Sequence, residues 1–231
     1  VKYAPTVSAS ASQNVICTGG QSVLSANVNN DIAPPPGNPN LYVITSVSPN
    51  LRNPSLITNT GPNGDDAALA AQPIGFPFTF FGTTYTTFRL STNGNIQFAS
   101  GNTSYIPTSL PNSGAPNAMI AGAWGDLTAS NNIKWATIGT APDRELVVYY
   151  NNVSFLSGTG SLTAQIILKE NSNDVEIQVS KCNNSIDSKV MGIENSTGTI
   201  GFIPPNRGLG TWSVPAANPE GWNFHFVPAT L

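Results

Sequence analysis

Leu162-Thr163-Ala164-Gln165-Ile166-Ile167-Leu168-Lys169 carries an apolar side chain at every second position. That period of two is the mark of a half-buried β-strand. The next apolar run repeats it, with Val175, Ile177 and Val179 alternating with Glu176, Gln178 and Ser180. Leu146, Val148 and Tyr150 form a third such face. Trp222, Phe224 and Phe226, alternating with Asn223 and His225, form a fourth. Phe88 and Leu90 lead through Ser91-Thr92-Asn93-Gly94-Asn95 to Ile96 and Phe98. Asn-Gly accepts the positive φ angles of a tight turn, so this stretch predicts a β-hairpin. Helical periodicity is interrupted everywhere by the 21 glycines and 19 prolines. Asp65 to Ala71 alone is ambiguous and open to a short helical turn. Many short strands with frequent turn signals predict an all-β protein, an antiparallel β-sandwich of Greek-key or jelly-roll type.

The composition fits a folded, secreted chain. Of 231 residues only 9% are charged, while 39% are hydrophobic, and the net charge is -3. Disorder usually couples low hydrophobicity to high net charge, so this chain is expected to fold. A surface of Asn, Ser and Thr has little electrostatic self-repulsion and tolerates contact with copies of itself. Nine Lys and Arg residues, scattered singly, form no patch for nucleic acid or anionic lipid. No apolar stretch reaches the ~18 residues of a membrane-spanning helix.

Three segments are expected. Residues 1–33 hold two or three short strands, around Thr6 to Ser10, Val15 to Cys17 and Val23 to Val28. Residues 34–40, opening with Pro34-Pro35-Pro36-Gly37, form a stiff linker. Residues 41–231 form the large sandwich. Cys17 and Cys182 are the only cysteines. In an extracellular setting they are expected to pair, and closing so long a loop would contribute about 4–5 kcal/mol in the chain-entropy model. Two reduced, buried thiols are the competing reading.

Pro5-Thr6-Val7-Ser8-Ala9, with Ile16-Cys17-Thr18-Gly19-Gly20-Gln21-Ser22-Val23, resembles the opening strands of Ig-like repeats in secreted proteins of the Bacteroidetes. The rest of the sequence resembles a surface module of the same proteins. It does so through Pro73-Ile74-Gly75-Phe76-Pro77-Phe78-Thr79-Phe80-Phe81-Gly82, Ser91-Thr92-Asn93-Gly94 and Ala121-Gly122-Ala123-Trp124-Gly125-Asp126-Leu127. Gly192-Ile193-Glu194-Asn195-Ser196-Thr197-Gly198 and Trp222-Asn223-Phe224-His225-Phe226 complete the series. The order of the middle motifs also resembles the extracellular nidogen-type domain. The resemblance implies a modular, cell-surface protein exported by the type IX system and built for adhesion or display. Its partners would be copies of itself or neighbouring domains. The short N-terminal strand set suggests polymerisation by strand exchange, because an unfilled sheet edge accepts a strand, and the competing reading packs these strands on their own domain.

The residues offer little for catalysis. His225 is the single histidine and lacks a Cys or His neighbour at metal-ligand spacing. No nucleophile elbow or phosphate-binding loop is present. Asp65 and Asp66 are adjacent, which does not by itself make a spaced glycosidase acid–base pair. A non-enzymatic role is therefore expected, without an obligatory cofactor. Asn63-Gly64-Asp65-Asp66, with Asp126 from another turn, offers clustered oxygen ligands suited to calcium. The competing reading is that Asp65 and Asp126 cap turns. A carbohydrate-binding module is the alternative function, with Trp212 in Gly208-Leu209-Gly210-Thr211-Trp212 as the candidate glycan-stacking residue.

Overall fold

A computed structural model describes residues 6–11, 24–29 and 41–227. Its strands in sequence order are β1 (Thr6–Ala11), β2 (Leu24–Asn29), β3 (Leu41–Val47), β4 (Asn59–Thr60), β5 (Gly64–Asp65), β6 (Gln72–Phe80), β7 (Thr83–Leu90) and β8 (Asn95–Gln97). They continue with β9 (Met119–Trp124), β10 (Leu127–Ala129), β11 (Ile133–Ile138), β12 (Glu145–Phe155), β13 (Ser161–Lys169), β14 (Val175–Cys182), β15 (Val190–Glu194), β16 (Gly201–Phe202) and β17 (Glu220–Val227). The one helical element among them is a single 3-10 turn, Pro54–Leu56. Asp65 to Ala71 is extended rather than helical, because Leu69 N–H and Ala68 pair with Leu90 and Ser91 instead of with their own turn.

Strands β1 and β2 pair antiparallel with each other. The expected strand at Val15 to Cys17, the linker at 34–40 and Cys17 lie outside the described residues. From residue 41 onward two antiparallel sheets form the sandwich. The larger runs β3-β17-β14-β13-β12-β10-β5, with β11 attached at β12 and β4 attached at β11. The smaller runs β16-β15-β9-β8-β7-β6.

The two-residue alternation becomes the core. Leu162, Ala164, Ile166 and Leu168 of β13 point inward beside Val175, Ile177 and Val179 of β14. Phe76, Phe78, Phe80, Phe88 and Phe98 face them from the smaller sheet. Burying each large apolar group contributes about 1.5–3 kcal/mol relative to exposure, so this shared face dominates stability. The hairpin at Asn93-Gly94 forms as its sequence predicts, with Leu90 opposite Ile96.

The polar face of the larger sheet is covered as well. Residues 50–57 cross it as a strap. Asn50 N–H donates to Gln178 Oε1 at 2.9 Å, Arg52 N–H donates to Gln165 Oε1 at 2.6 Å, and Gln165 Nε2 donates to Arg52 O at 2.8 Å. The Arg52 guanidinium reaches Glu145 at 2.7 Å and Glu176 at 3.0 Å, and Lys169 meets Glu176 at 2.6 Å. Burial works to raise the Glu176 carboxyl, but Lys169 and Arg52 outweigh it and hold the group below its usual range.

Candidate functional site: an acidic loop end

The loops at one end of the sandwich bring three carboxylates together. Asp65 ends the short strand β5, where it pairs with Thr128 of β10. Asp66 follows with φ +44°. Asp126 sits in the turn between β9 and β10. One carboxylate oxygen from each of the three lies within 4.8 Å of the others.

Asn93 builds this geometry. Its fully buried side chain donates from Nδ2 to Asp66 Oδ1 at 2.7 Å and to Thr103 O at 3.0 Å. Its Oδ1 accepts from Leu127 N–H at 2.9 Å. One amide thus ties the Asp66 loop to the residue after Asp126. Gly94 lets the hairpin close against the same turn. It has φ +76°, and a Cβ there would stand 2.3 Å from Ala123 O. Gly122 N–H and Ala123 N–H both donate to Gly94 O. Two of the motifs quoted above therefore dock directly on each other.

The electrostatics are unbalanced. Burial raises the Asp126 carboxyl, and Asp65, Asp66 and Asp187 push it further the same way. Asp126 Oδ1 is buried and accepts no hydrogen bond. A calcium ion sits about 2.3–2.6 Å from each of its oxygens, so oxygens that share one lie up to about 5 Å apart. The trio meets that condition, and the unpartnered Asp126 oxygen is an acceptor without a donor. The residues present fit a hard cation.

Asp187 and Lys189 carry no sequence signal that points to this end. Asp187 Oδ2 accepts from Ser157 Oγ at 2.5 Å and from Asn184 Nδ2 at 2.7 Å. Lys189 is fully buried and donates to Asn184 O at 3.0 Å, Asp187 O at 2.8 Å and Trp212 O at 2.9 Å. Its ammonium lies 5.3 Å from the ring centroids of Phe155 and Trp212. Burial lowers its pKa. In strand-pattern terms Lys189 looks like a surface residue, so only the packing reveals it.

Trp212, the candidate stacking residue, is half-buried, with Lys189 and Arg207 against its ring and Nε1 donating to Gly208 O at 2.9 Å. More exposed apolar side chains among the described residues are Tyr105, Ile106, Leu156, Ile186 and Leu209. Leu156 N–H donates to Asp126 O, and Asn93 Nδ2 donates to both Asp66 Oδ1 and Thr103 O, so Leu156 and the backbone two residues before Tyr105 border the acidic loops. His225 is exposed and pairs with Asp174 Oδ1 at 2.8 Å. Cys182 is buried, and burial pushes its thiol up to about 11.

Residues 42–215 match the family model described as NIDO related. The protein belongs to the NIDO-related family. The match takes in the strap, the acidic loop end and Trp212, and it agrees with the nidogen-type order of the middle motifs. Domains of this kind are typically extracellular. No curated protein and no solved structure matches the sequence. Among the described residues, no helix is long and apolar enough to cross a membrane.

Proposed function

We propose that this NIDO-related protein is a non-enzymatic structural or adhesive module of a bacterial cell surface whose loop end binds calcium. The observation that carries the reading is the convergence of Asp65, Asp66 and Asp126 on one point, with a buried Asp126 oxygen left without a donor. Three carboxylates this close repel one another, and a divalent cation turns that repulsion into a crosslink between loops. A module that must hold its shape outside the cell gains rigidity from such a crosslink. Calorimetric titration tests it. Calcium should bind the wild-type protein, and Asp126→Asn should weaken binding at least tenfold. Equal heats for wild type and variant would defeat the proposal.

The surface setting, with type IX export in the Bacteroidetes manner, rests on the motif resemblance. Assembly by strand exchange is supported by the edge position of β3, which pairs only with β17 among the described residues. Its seven residues carry no charge and no proline, the usual protections of an edge. Deleting residues 1–12 should abolish polymers seen by electron microscopy, and undiminished polymers would dismiss the exchange.

Carbohydrate binding is a second reading, favoured by the exposed Tyr105, two residues from the Thr103 carbonyl that Asn93 ties to Asp66. Calcium-dependent retention on a glycan array, lost in Tyr105→Ala, would support it over the purely structural role.

A further inference from the structure

We propose that the Asn63–Gly64 linkage is a deamidation site whose aspartyl product adds a fourth carboxylate to the acidic loop end, while the neighbouring Asn93–Gly94 linkage is protected. Both dipeptides border the same three acids, so their environments can be compared directly.

The reaction needs no co-reactant other than water. The backbone nitrogen of Gly64 attacks Asn63 Cγ, and the new bond between them closes a five-membered succinimide. The bond from Asn63 Cγ to Nδ2 breaks, and ammonia leaves with the proton that the Gly64 nitrogen gives up. Water then opens one of the two ring carbonyls to yield aspartate or isoaspartate at position 63. Glycine favours the attack because no Cβ obstructs the nitrogen's approach.

At Asn63 the surroundings permit each step. The residue is exposed. Gly64 pairs with Ala129 through β5, but nothing lies within 4 Å of its Cβ position, so no side chain crowds that side of the linkage. Asn131 N–H donates to Asn63 Oδ1 at 2.7 Å. That donor faces the oxygen on which negative charge develops during the attack.

At Asn93 the same chemistry is blocked. The side chain is fully buried, and its amide makes three hydrogen bonds, to Asp66, Thr103 and Leu127. Gly94 is pressed against Ala123 O. Reaching the cyclic geometry would break all three bonds and move two loops.

Asn63 lies two residues before Asp65, so its conversion places new negative charge beside the trio. The conversion itself is independent of the calcium reading. Its consequence rests on that reading: an aspartate at 63 should tighten calcium binding.

Incubation of the folded, full-length protein in mildly alkaline buffer, followed by denaturation and tryptic mapping, tests the proposal. Cleavage after Arg52, Arg89 and Lys134 puts the two linkages on different peptides. The Asn63 peptide should become about 1 Da heavier, with the mass localised to that residue, while the Asn93 peptide stays unchanged. Both should convert in urea, and Asn63→Gln should block the first. Conversion of Asn93 at the rate of Asn63 in the folded protein would overturn the proposal. So would an intact Asn63 under conditions that convert it in urea. Asn63→Asp should lower the calcium dissociation constant about tenfold. An unchanged constant would refute the consequence for calcium. A mass gain at Asn63 in a protein that binds no calcium would uphold the chemistry and end the calcium reading.

Discussion

The strap over the larger sheet and the acidic loop end treat their carboxylates in opposite ways. Beneath the strap, Glu145 and Glu176 each meet a cation, with Arg52 serving both and Lys169 serving Glu176. At the loop end Asp65, Asp66 and Asp126 face one another, and Asp126 Oδ1 has neither a cation nor a donor. The first region is complete as folded. The second holds a charge imbalance that something outside the protein can relieve. The contrast teaches that the pairing of acidic residues, more than their number, separates a structural network from a binding site.

The largest effect should come from breaking the completed region. Arg52→Ala leaves Glu145 without a cation and Glu176 with Lys169 alone, releases the strap, and is expected to cost about 3 kcal/mol in urea unfolding. A cost below about 1 kcal/mol would mean that the strap is not held by these charges. Removing the Lys189 ammonium by Lys189→Met should cost a similar amount, since the carbonyls of Asn184, Asp187 and Trp212 lose their donor. A melting temperature equal to wild type would show that those carbonyls find water instead.

Relieving the imbalance should come next in size. Calcium at one hundred times its dissociation constant should stabilise the fold by about 2.7 kcal/mol, with the gain reversed by chelator and cut to about 1.4 kcal/mol or less in Asp126→Asn. Stabilisation of the Asn variant to the same extent would place the ion elsewhere.

Glu194 sharpens the comparison, being buried without any cation. Burial raises its carboxyl from 4.5 to about 7, partly offset by the Asn112 N–H that donates to Oε2 at 2.6 Å, while Oε1 has no partner. Its folded-state pKa is raised, so the stability it contributes is full below about 4.5 and lost as pH rises through about 7. Glu194→Gln should therefore match wild type in acid. Above pH ~8 it should exceed wild type by on the order of 2 kcal/mol in denaturant titrations. Parallel pH profiles for the two proteins would contradict this. The smallest effect belongs to His225→Ala, whose exposed pairing with Asp174 should be worth under about 1 kcal/mol, read as a small shift in urea midpoint.

Much of the fold was legible because its signals are local. Alternation in β13, β14 and β17 placed the apolar faces correctly, and Asn93-Gly94 marked its hairpin. The polar half of the same alternation misled in one respect. Glu176 and Gln178 look solvent-facing in sequence, yet both are buried because residues 50–57 return from more than 100 positions away to cover them. The ambiguity at Asp65 to Ala71 resolved to extended backbone for a related reason: its hydrogen-bond partners lie on β7. Asp65, Asp66 and Asp126 could be nominated by residue type, since carboxylates in turn-prone loops are few in a sequence this poor in charge. Asp187, Lys189 and Glu194 could not, because nothing local distinguishes a buried charge from an exposed one.

The order of residues determined the class of fold by itself, since side chains on a strand alternate between its two faces regardless of the partner strands. It also determined that the Asn93-Gly94 turn closes tightly, through a glycine at φ +76° whose Cβ would collide with Ala123 O. Which acids are balanced and which are left facing one another was decided only by the tertiary structure. Charge interaction depends on distance and burial in space, and both are set by loops that meet across the sandwich rather than along the sequence.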